Sequence, residues 1–247
     1  MAGRLAGTTA VVTGASSGIG AVTAEALAAE GAAVALLARR IDRLEDLAAR
    51  LDTPTSVHQL DVTDERAVRD VLDAVVDERG GIDVLVNNAG VGSMVPVTEA
   101  DFADWRAMVE VNVLGVMAVA HAAVPHLIAA AKGPRGVSDM IIVSSVAGRK
   151  VVGPNAVYAA TKHAVGAFTE GLRQQLVGQH VRAGLVEPGL VHTELTEASD
   201  RSTPDVPDNE LRVLLPEDIA DAIVYAVTRP ARVAVNEILI RPLEQER

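Results

Sequence analysis

The chain has 247 residues, 49% of them hydrophobic, with 22 Lys and Arg against 33 Asp and Glu, a formal net charge of −11. That balance repels phosphate backbones and anionic lipid, so neither nucleic acid nor a membrane surface is expected as a partner. The absence of cysteine excludes disulfides, thiolate nucleophiles and zinc–sulfur sites, and 2% aromatic residues are too few for a base-stacking platform.

Short β-branched runs alternate with longer Ala-rich amphipathic runs. The first ten residues carry one Arg and no long apolar segment, so no signal peptide is expected and the cytoplasm is the expected compartment. A strand is predicted at Thr9–Thr13, a helix at Gly18–Glu30, a strand at Ala33–Ala38 and a helix at Asp42–Leu51. The pattern continues with a strand at Thr55–Leu60, a helix at Glu65–Arg79 and a strand at Val84–Asn87. Thr98-Glu99-Ala100-Asp101 has the spacing of a capping box, with Asp101 in place of the usual Glu or Gln, ahead of a long helix at Phe102–Ala131. A strand at Met140–Ser144, a helix at Ala156–Val177 and a strand at Val181–Val186 follow. The last helix, Pro216–Thr228, has Pro216, Glu217 and Asp218 in its first turn, and a strand at Glu237–Ile240 completes the series. Near-continuous apolar strands separated by helices predict a parallel sheet covered on both faces. Right-handed crossovers make this a doubly wound α/β fold of seven strands, in a single domain over residues 1–247.

Two segments stand out from this rhythm. From Val113 to Ala131 apolar residues surround the helix, though His121, Pro125 and His126 interrupt the run, so a buried helix is expected and not a membrane span. One side of it would face the sheet and the other a second subunit, giving a homo-oligomer (a tetramer, else a dimer); the alternative is burial under the monomer's own lid. Residues 193–213 are rich in Ser, Thr, Pro, Asp and Glu without a period, and a long polar segment between the last strands is a candidate substrate lid.

Thr13-Gly14-Ala15-Ser16-Ser17-Gly18-Ile19-Gly20 follows the first strand and opens the first helix. Glycine admits positive φ and close backbone approach, and the free N–H groups of a helix N-terminus favour a pyrophosphate. This loop is read as a dinucleotide site. The second strand ends Leu36-Leu37-Ala38-Arg39-Arg40. A carboxylate there would bond the ribose of NAD and repel a 2′-phosphate, whereas two guanidiniums suit that phosphate, so NADP(H) is the expected cofactor. Asp61, after the third strand, either accepts from the adenine amino group or serves its own turn. Tyr158 and Lys162, four apart, lie on one helix face, and a nearby ammonium would lower the pKa of the phenol.

The glycine loop, Asn87-Asn88-Ala89-Gly90, Ser144-Ser145-Val146-Ala147-Gly148, Tyr158-x-x-x-Lys162 and Pro188-Gly189 occur in one order. In that order they resemble the short-chain dehydrogenases/reductases, in the branch of about 250 residues with a single Rossmann domain. The resemblance spans essentially the whole chain. Ala38-Arg39-Arg40 and the tail Asn236-Glu237-Ile238-Leu239-Ile240-Arg241-Pro242 look like the NADP-dependent subgroup of 3-hydroxy acid (serine) dehydrogenases and clavulaldehyde reductase.

The resemblance implies a catalytic tetrad of Asn112, Ser145, Tyr158 and Lys162. Ser145 and Tyr158 would hold the substrate oxygen, with Tyr158 exchanging its proton. Lys162 would lower the tyrosine pKa and bond the nicotinamide ribose, and Asn112 would hold a water linking Lys162 to solvent. It also implies cofactor contacts from Gly14, Ser16, Ser17, Gly18, Ile19 and Gly20, and from Arg39, Arg40, Asp61 and Val62. Further contacts are implied from Asn88, Ala89, Gly90, Val111, Pro188, Gly189, Val191 and Thr193, besides Tyr158 and Lys162 themselves.

The implied activity is an NADP(H)-dependent oxidoreductase that interconverts a ketone or aldehyde with an alcohol. The alternatives are a cofactor-binding regulator with little turnover, against which the intact tetrad argues, and an epimerase or dehydratase, for whose substrate domain the length leaves no room. The substrate pocket is expected to be walled by Val91–Val95, Arg149–Asn155 and residues 193–213, with Met94, Val151 and Val152 making it partly apolar. Arg149 and Lys150 would meet an acidic substrate or water, and Glu187 would shape substrate choice or cap a strand. His121, His126, His163 and His192 lack metal-ligand spacing, and no metal is expected. Trp105 is expected to pack at the start of its helix.

Overall fold

A computed structural model describes residues 3–151, 153–199 and 213–245. Seven strands form one all-parallel sheet: β1 (Thr9–Thr13), β2 (Ala33–Ala38), β3 (Thr55–Gln59), β4 (Val84–Asn87), β5 (Ser138–Val143), β6 (Val181–Pro188) and β7 (Glu237–Ile240). They lie in the order β3-β2-β1-β4-β5-β6-β7. The order reverses between β1 and β4, which pair in parallel from Ala10↔Val84 to Val12↔Val86. In a doubly wound sheet that reversal opens a crevice at the carboxyl ends of the strands, where ligands bind.

The apolar inner strands are buried on both faces, while the edge strands β3 and β7 are partly exposed, and alternate residues serve opposite cores. Ala10 and Val12 of β1, Val34 and Leu36 of β2 and Ile141 of β5 join one cluster, with Leu27, Leu44 and Ile223 from the helices on that side. Val11, Ala35, Leu37, Leu85 and Met140 point the other way, onto Leu72, Val119, Leu127 and Val165. The first core is covered by α1 (Gly18–Ala29), α2 (Ile41–Ala48) and α8 (Pro216–Val227). The second is covered by α3 (Glu65–Arg79), α5 (Val116–Ala130) and α6 (Ala156–Leu176).

Helix ends follow local chemistry. Asp64 caps α3, its Oδ1 accepting from Arg66 N and Ala67 N at 3.0 Å each, and Gly80 ends the helix at φ 85°. The capping box expected at Thr98 does not form. The cap of α4 (Phe102–Val109) is Asp101 itself, which accepts from Ala103 N at 2.8 Å. A carboxylate two residues before the amide it caps starts the helix three residues later than Thr98 would have done.

The long helix is not uniform. A π-helical segment, Glu110–Gly115, separates α4 from α5. Together they run from Phe102 to Ala130, long and apolar enough to cross a membrane. Yet α5 buries Val119, Ala123 and Leu127 in the core beneath the sheet. Ahead of α5, Phe102 and Val109 of α4 and Leu114 of the π-helical segment are exposed in this chain. β5 begins two residues earlier than Met140 because its first residues are polar but paired. Ser138 Oγ donates to Leu127 O at 2.8 Å, and Asp139 holds two arginines. A six-residue helix, α7 (Glu194–Ser199), lies inside the segment read as aperiodic, too short for its period to be visible. Residues 200–212 of the expected lid lie outside the described residues, as does Val152.

Candidate active site

A groove follows the carboxyl ends of the strands in three adjoining stretches of about 230, 120 and 220 Å³. The outer stretch is floored by Gly14, Ser16, Ser17, Gly18 and Ile19. Arg39, Arg40, Asp61 and Val62 close one end, and Asn88, Ala89, Gly90, Val111 and Thr193 line the rest. The middle stretch adds Ser145, Tyr158, Lys162, Pro188, Gly189 and Val191. The inner stretch shares Ser145 and Tyr158 and is otherwise mostly apolar, with Met94, Val146, Leu190 and Leu195 among its walls. Of the expected tetrad and cofactor residues, only Gly20 and Asn112 lie behind these walls.

The glycines have distinct jobs. Gly14 has φ 67°, and a Cβ there would stand 2.9 Å from Ala89 Cα. Gly20 is a packing glycine, since its Cβ would meet Gly14 O at 2.4 Å. The loop is held from β4: Asn88 Nδ2 donates to Thr13 O at 3.0 Å, and Thr13 Oγ1 accepts from Asn88 N and Ala89 N at 2.9 and 3.1 Å. Asn87 ties the sheet to the long helix by donating to Val116 O at 2.9 Å. No side chain caps α1; the hydroxyl of its N-cap, Ser17, accepts from Arg40 Nη2 at 2.7 Å. The leading amides of α1 therefore keep their capacity for an anion.

Arg40 also donates to Ser16 Oγ from Nε at 3.1 Å and from Nη2 at 3.0 Å. Arg39 is exposed at the same end of the groove. Asp61 spends Oδ1 on its own turn, accepting from Thr63 N at 3.0 Å and Thr63 Oγ1 at 2.8 Å, and the Thr63 amide holds its carboxyl below the usual range.

Tyr158 and Lys162 share a face of α6, with Lys162 Nζ 5.5 Å from the Tyr158 ring centroid. Burial nevertheless pushes the phenol above its usual pKa, against a smaller downward pull from its hydrogen bond with Ser145. The net direction is therefore upward, with burial outweighing the hydrogen bond. Lys162 is itself buried, and its Nζ donates to Val143 O at 3.1 Å. Asn112 holds two segments of the chain together. It is fully buried in the π-helical segment, with Oδ1 accepting from Val91 N at 2.8 Å. Its amide donates to Val91 O at 2.8 Å and Thr161 Oγ1 at 3.2 Å. Both amide hydrogens are spent clamping the loop after β4 to α6.

Burial draws the Lys162 ammonium down to about 8 from 10.5. Between those values the unfolded chain binds more protons than the folded one, so stability rises with pH from about 8 to about 10.5. The gain is of order 3 kcal/mol, at roughly 1.4 kcal/mol per unit. Urea melts across this window should show the rise in the wild type and a flatter profile in Lys162→Met. An equal rise in both would contradict the buried ammonium.

Sequence reasoning missed other wall residues. Gln245 Oε1 accepts from Leu190 N at 3.0 Å and would lie 2.1 Å from a Cβ at Gly189, so the C-terminal tail walls the inner stretch. Nothing local to Gln245 signals this. Lys150 lines the same stretch, whereas Arg149 does not. Arg149 pairs with buried Glu187 through Nε at 2.9 Å and Nη2 at 2.8 Å, and with Glu237 at 2.5 Å, so both Arg149 and Glu187 are structural. Val151 is exposed. His126 pairs with Asp73 at 3.1 Å, His163 Nδ1 lies 2.8 Å from Ala159 O, and Trp105 packs edge-on to Phe102.

Known proteins agree with this architecture. Residues 8–203 match the short chain dehydrogenase family. An uncharacterised oxidoreductase from Staphylococcus epidermidis is 39% identical over 234 residues, covering 95% of this chain and 96% of its own. An alcohol dehydrogenase from the archaeon Thermococcus sibiricus, solved with 5-hydroxy-NADP, superposes with a TM-score of 0.85 at 30% identity, over 97% of this chain and 98% of its own. The closed form of a serine dehydrogenase complexed with NADP+ gives 0.88 at 31% identity, over 97% of each chain. On its motifs, its sheet order and these relatives together, the chain belongs to the short-chain dehydrogenase family of oxidoreductases.

Proposed function

We propose that the protein interconverts a ketone or aldehyde with its alcohol, using NADP(H), with Tyr158 as the acid and base. The observation that carries this reading is the position of Ser145 and Tyr158. Both stand on the wall shared by the middle and inner stretches of the groove, with buried Lys162 lining the middle one.

The residues present fit the cofactor. The uncapped start of α1 and the close-packed glycine loop suit a pyrophosphate. Arg39, Arg40, Ser16 and Ser17 form a donor set for a 2′-phosphate, and no carboxylate stands at the end of β2 to repel one. Val62 and Asp61 would flank adenine, and Pro188, Gly189, Val191 and Thr193 the nicotinamide end. The NADP+ and 5-hydroxy-NADP in the two solved relatives support the same choice. NADP(H), when bound, supplies or accepts a hydride.

The chain's own residues do the rest. Ser145 Oγ and Tyr158 Oη donate to the substrate oxygen. Tyr158 Oη gives up its proton as a carbonyl is reduced and takes one back as an alcohol is oxidised. Lys162, charged, favours the phenolate once Tyr158 has lost its proton. Asn112 fixes the spacing between the loop after β4 and α6 through the bonds above. Met94, Leu190 and Leu195 exclude water around the reacting oxygen and accommodate a partly apolar substrate. We infer further that residues 1–247 act as one cofactor-binding and catalytic unit, with residues 193–213 as a lid. The exposed Phe102, Val109 and Leu114 support association with further copies of the chain, and the acidic surface supports neither nucleic acid nor membrane as a partner.

The reading is tested first through the cofactor. Arg39→Ala should weaken NADPH by about tenfold or more and NADH by less than about twofold, the scale of one charge-assisted bond to phosphate. Fluorescence titration of both nucleotides measures this. Equal losses for NADPH and NADH would refute the phosphate role.

A further inference from the structure

Glu194 opens α7, and its carboxylate reaches across the mouth of the groove to α2. Oε2 accepts from Arg40 Nη1 at 2.9 Å, and Oε1 pairs with Arg43 Nη1. Arg40 turns its remaining nitrogens to Ser16 Oγ and Ser17 Oγ. One anion, two guanidiniums and two loop hydroxyls thus meet at the edge of the outer stretch, which Glu194 itself lines. The paired guanidiniums hold the Glu194 carboxyl down to about 2, so it is charged at any working pH. Arg43, which the sequence reading passed over, belongs to this cluster.

The chemistry of the cluster is that of a phosphate site already filled by the protein's own anion. Guanidinium forks bind carboxylate and phosphate through the same nitrogens. A phosphate monoester carries more charge and more acceptor oxygens than a carboxylate, and like charges on one guanidinium repel. Nucleotides lacking that phosphate bring no competitor. The neighbours of Glu194 extend the consequence inward: Thr193 lines both cofactor stretches, and Leu195 reaches the inner one.

Resting on the NADP(H) reading above, we propose that Glu194 is an internal competitor for Arg40 and Arg43. The 2′-phosphate of NADP(H) displaces it and NAD(H) leaves it in place, so that filling the phosphate site frees the start of α7. Glu194 is then a determinant of cofactor specificity, and Arg43 is a third guanidinium of the phosphate site, beside Arg39 and Arg40.

The test measures binding. NADPH and NADH are titrated by fluorescence into the wild type, Glu194→Gln and Arg43→Gln. Glu194→Gln should tighten NADPH by about three- to tenfold, the scale of two exposed ion pairs, and leave NADH within about twofold. Arg43→Gln should weaken NADPH and spare NADH. Hydrogen exchange at the amides of residues 194–199 should rise in the wild type with saturating NADPH but not with NADH. Unchanged or weaker NADPH binding by Glu194→Gln, or exchange that falls with NADPH, overturns the competitor while leaving the cofactor reading intact. A wild type that binds NADH as tightly as NADPH removes the phosphate site itself, and the competitor with it.

Discussion

Tyr158→Phe should lose turnover by about 10²–10⁴-fold, the usual contribution of a positioned acid–base group, while binding NADPH as the wild type does. The substitution removes one oxygen and keeps the ring, so the packing of α6 at the groove is preserved. What disappears is the only phenol on the wall shared by the middle and inner stretches, together with its hydrogen bond to Ser145. NADPH oxidation over a panel of ketones and aldehydes measures the loss. Retention of more than about a tenth of wild-type turnover would remove Tyr158 from the acid–base role. Equal, near-zero turnover in both proteins with tight NADPH binding would favour a cofactor-binding regulator.

The second large effect is on stability. Asp139 is 1% exposed on β5, an interior strand of the sheet. Its carboxylate accepts from Arg182 Nε at 2.7 Å and Nη2 at 2.9 Å, and from Arg135 Nη2 at 2.6 Å. Arg182 reaches on to the carbonyls of Arg229 and Val233 at 3.1 and 2.7 Å, linking β6 to the end of α8 and the connection to β7. Asp139→Ala leaves a buried guanidinium without its counter-charge. Breaking such a pair costs about 3–5 kcal/mol, because the remaining charge stays desolvated and unpaired. Urea denaturation should show that loss, and for a chain of this size it lowers Tm by roughly 6–20 °C. A change below about 1 kcal/mol would mean that water or a neighbouring carboxylate takes over the arginines.

The sequence was most readable where one local rule decides the outcome. β1, β2 and β4 have the expected limits, because strands of a doubly covered sheet are simple apolar runs between turns, and the edge strand β7 has them too. α3 has both of its expected ends because Asp64 and Gly80 are unambiguous cap residues. The groove gathers nearly all of the expected cofactor residues because they sit at strand ends, which the sheet order brings together. Failures came where distant segments meet. Ser138 and Asp139 look like loop residues until Leu127 and Arg182 are seen beside them. The amide of Asn112 bonds Val91 and Thr161, 21 and 49 positions away, a clamp that no local pattern signals. Gln245 and the Glu194–Arg43 pair join residues 55 and 151 positions apart, beyond any local pattern. The upward pull of burial on Tyr158 was not legible either: spacing on a helix brings a charge near but is silent on how much water remains.

The central claim is that a hydride passes to a carbonyl carbon held by Ser145 and Tyr158. Incubation with NADPH deuterated at the transferable C4 position and a reducible ketone or aldehyde, followed by mass spectrometry of the alcohol, tests it directly. The account predicts one deuterium on the carbinol carbon with the wild type and almost none with Tyr158→Phe. Alcohol formed without deuterium, or labelled equally by both proteins, would contradict it.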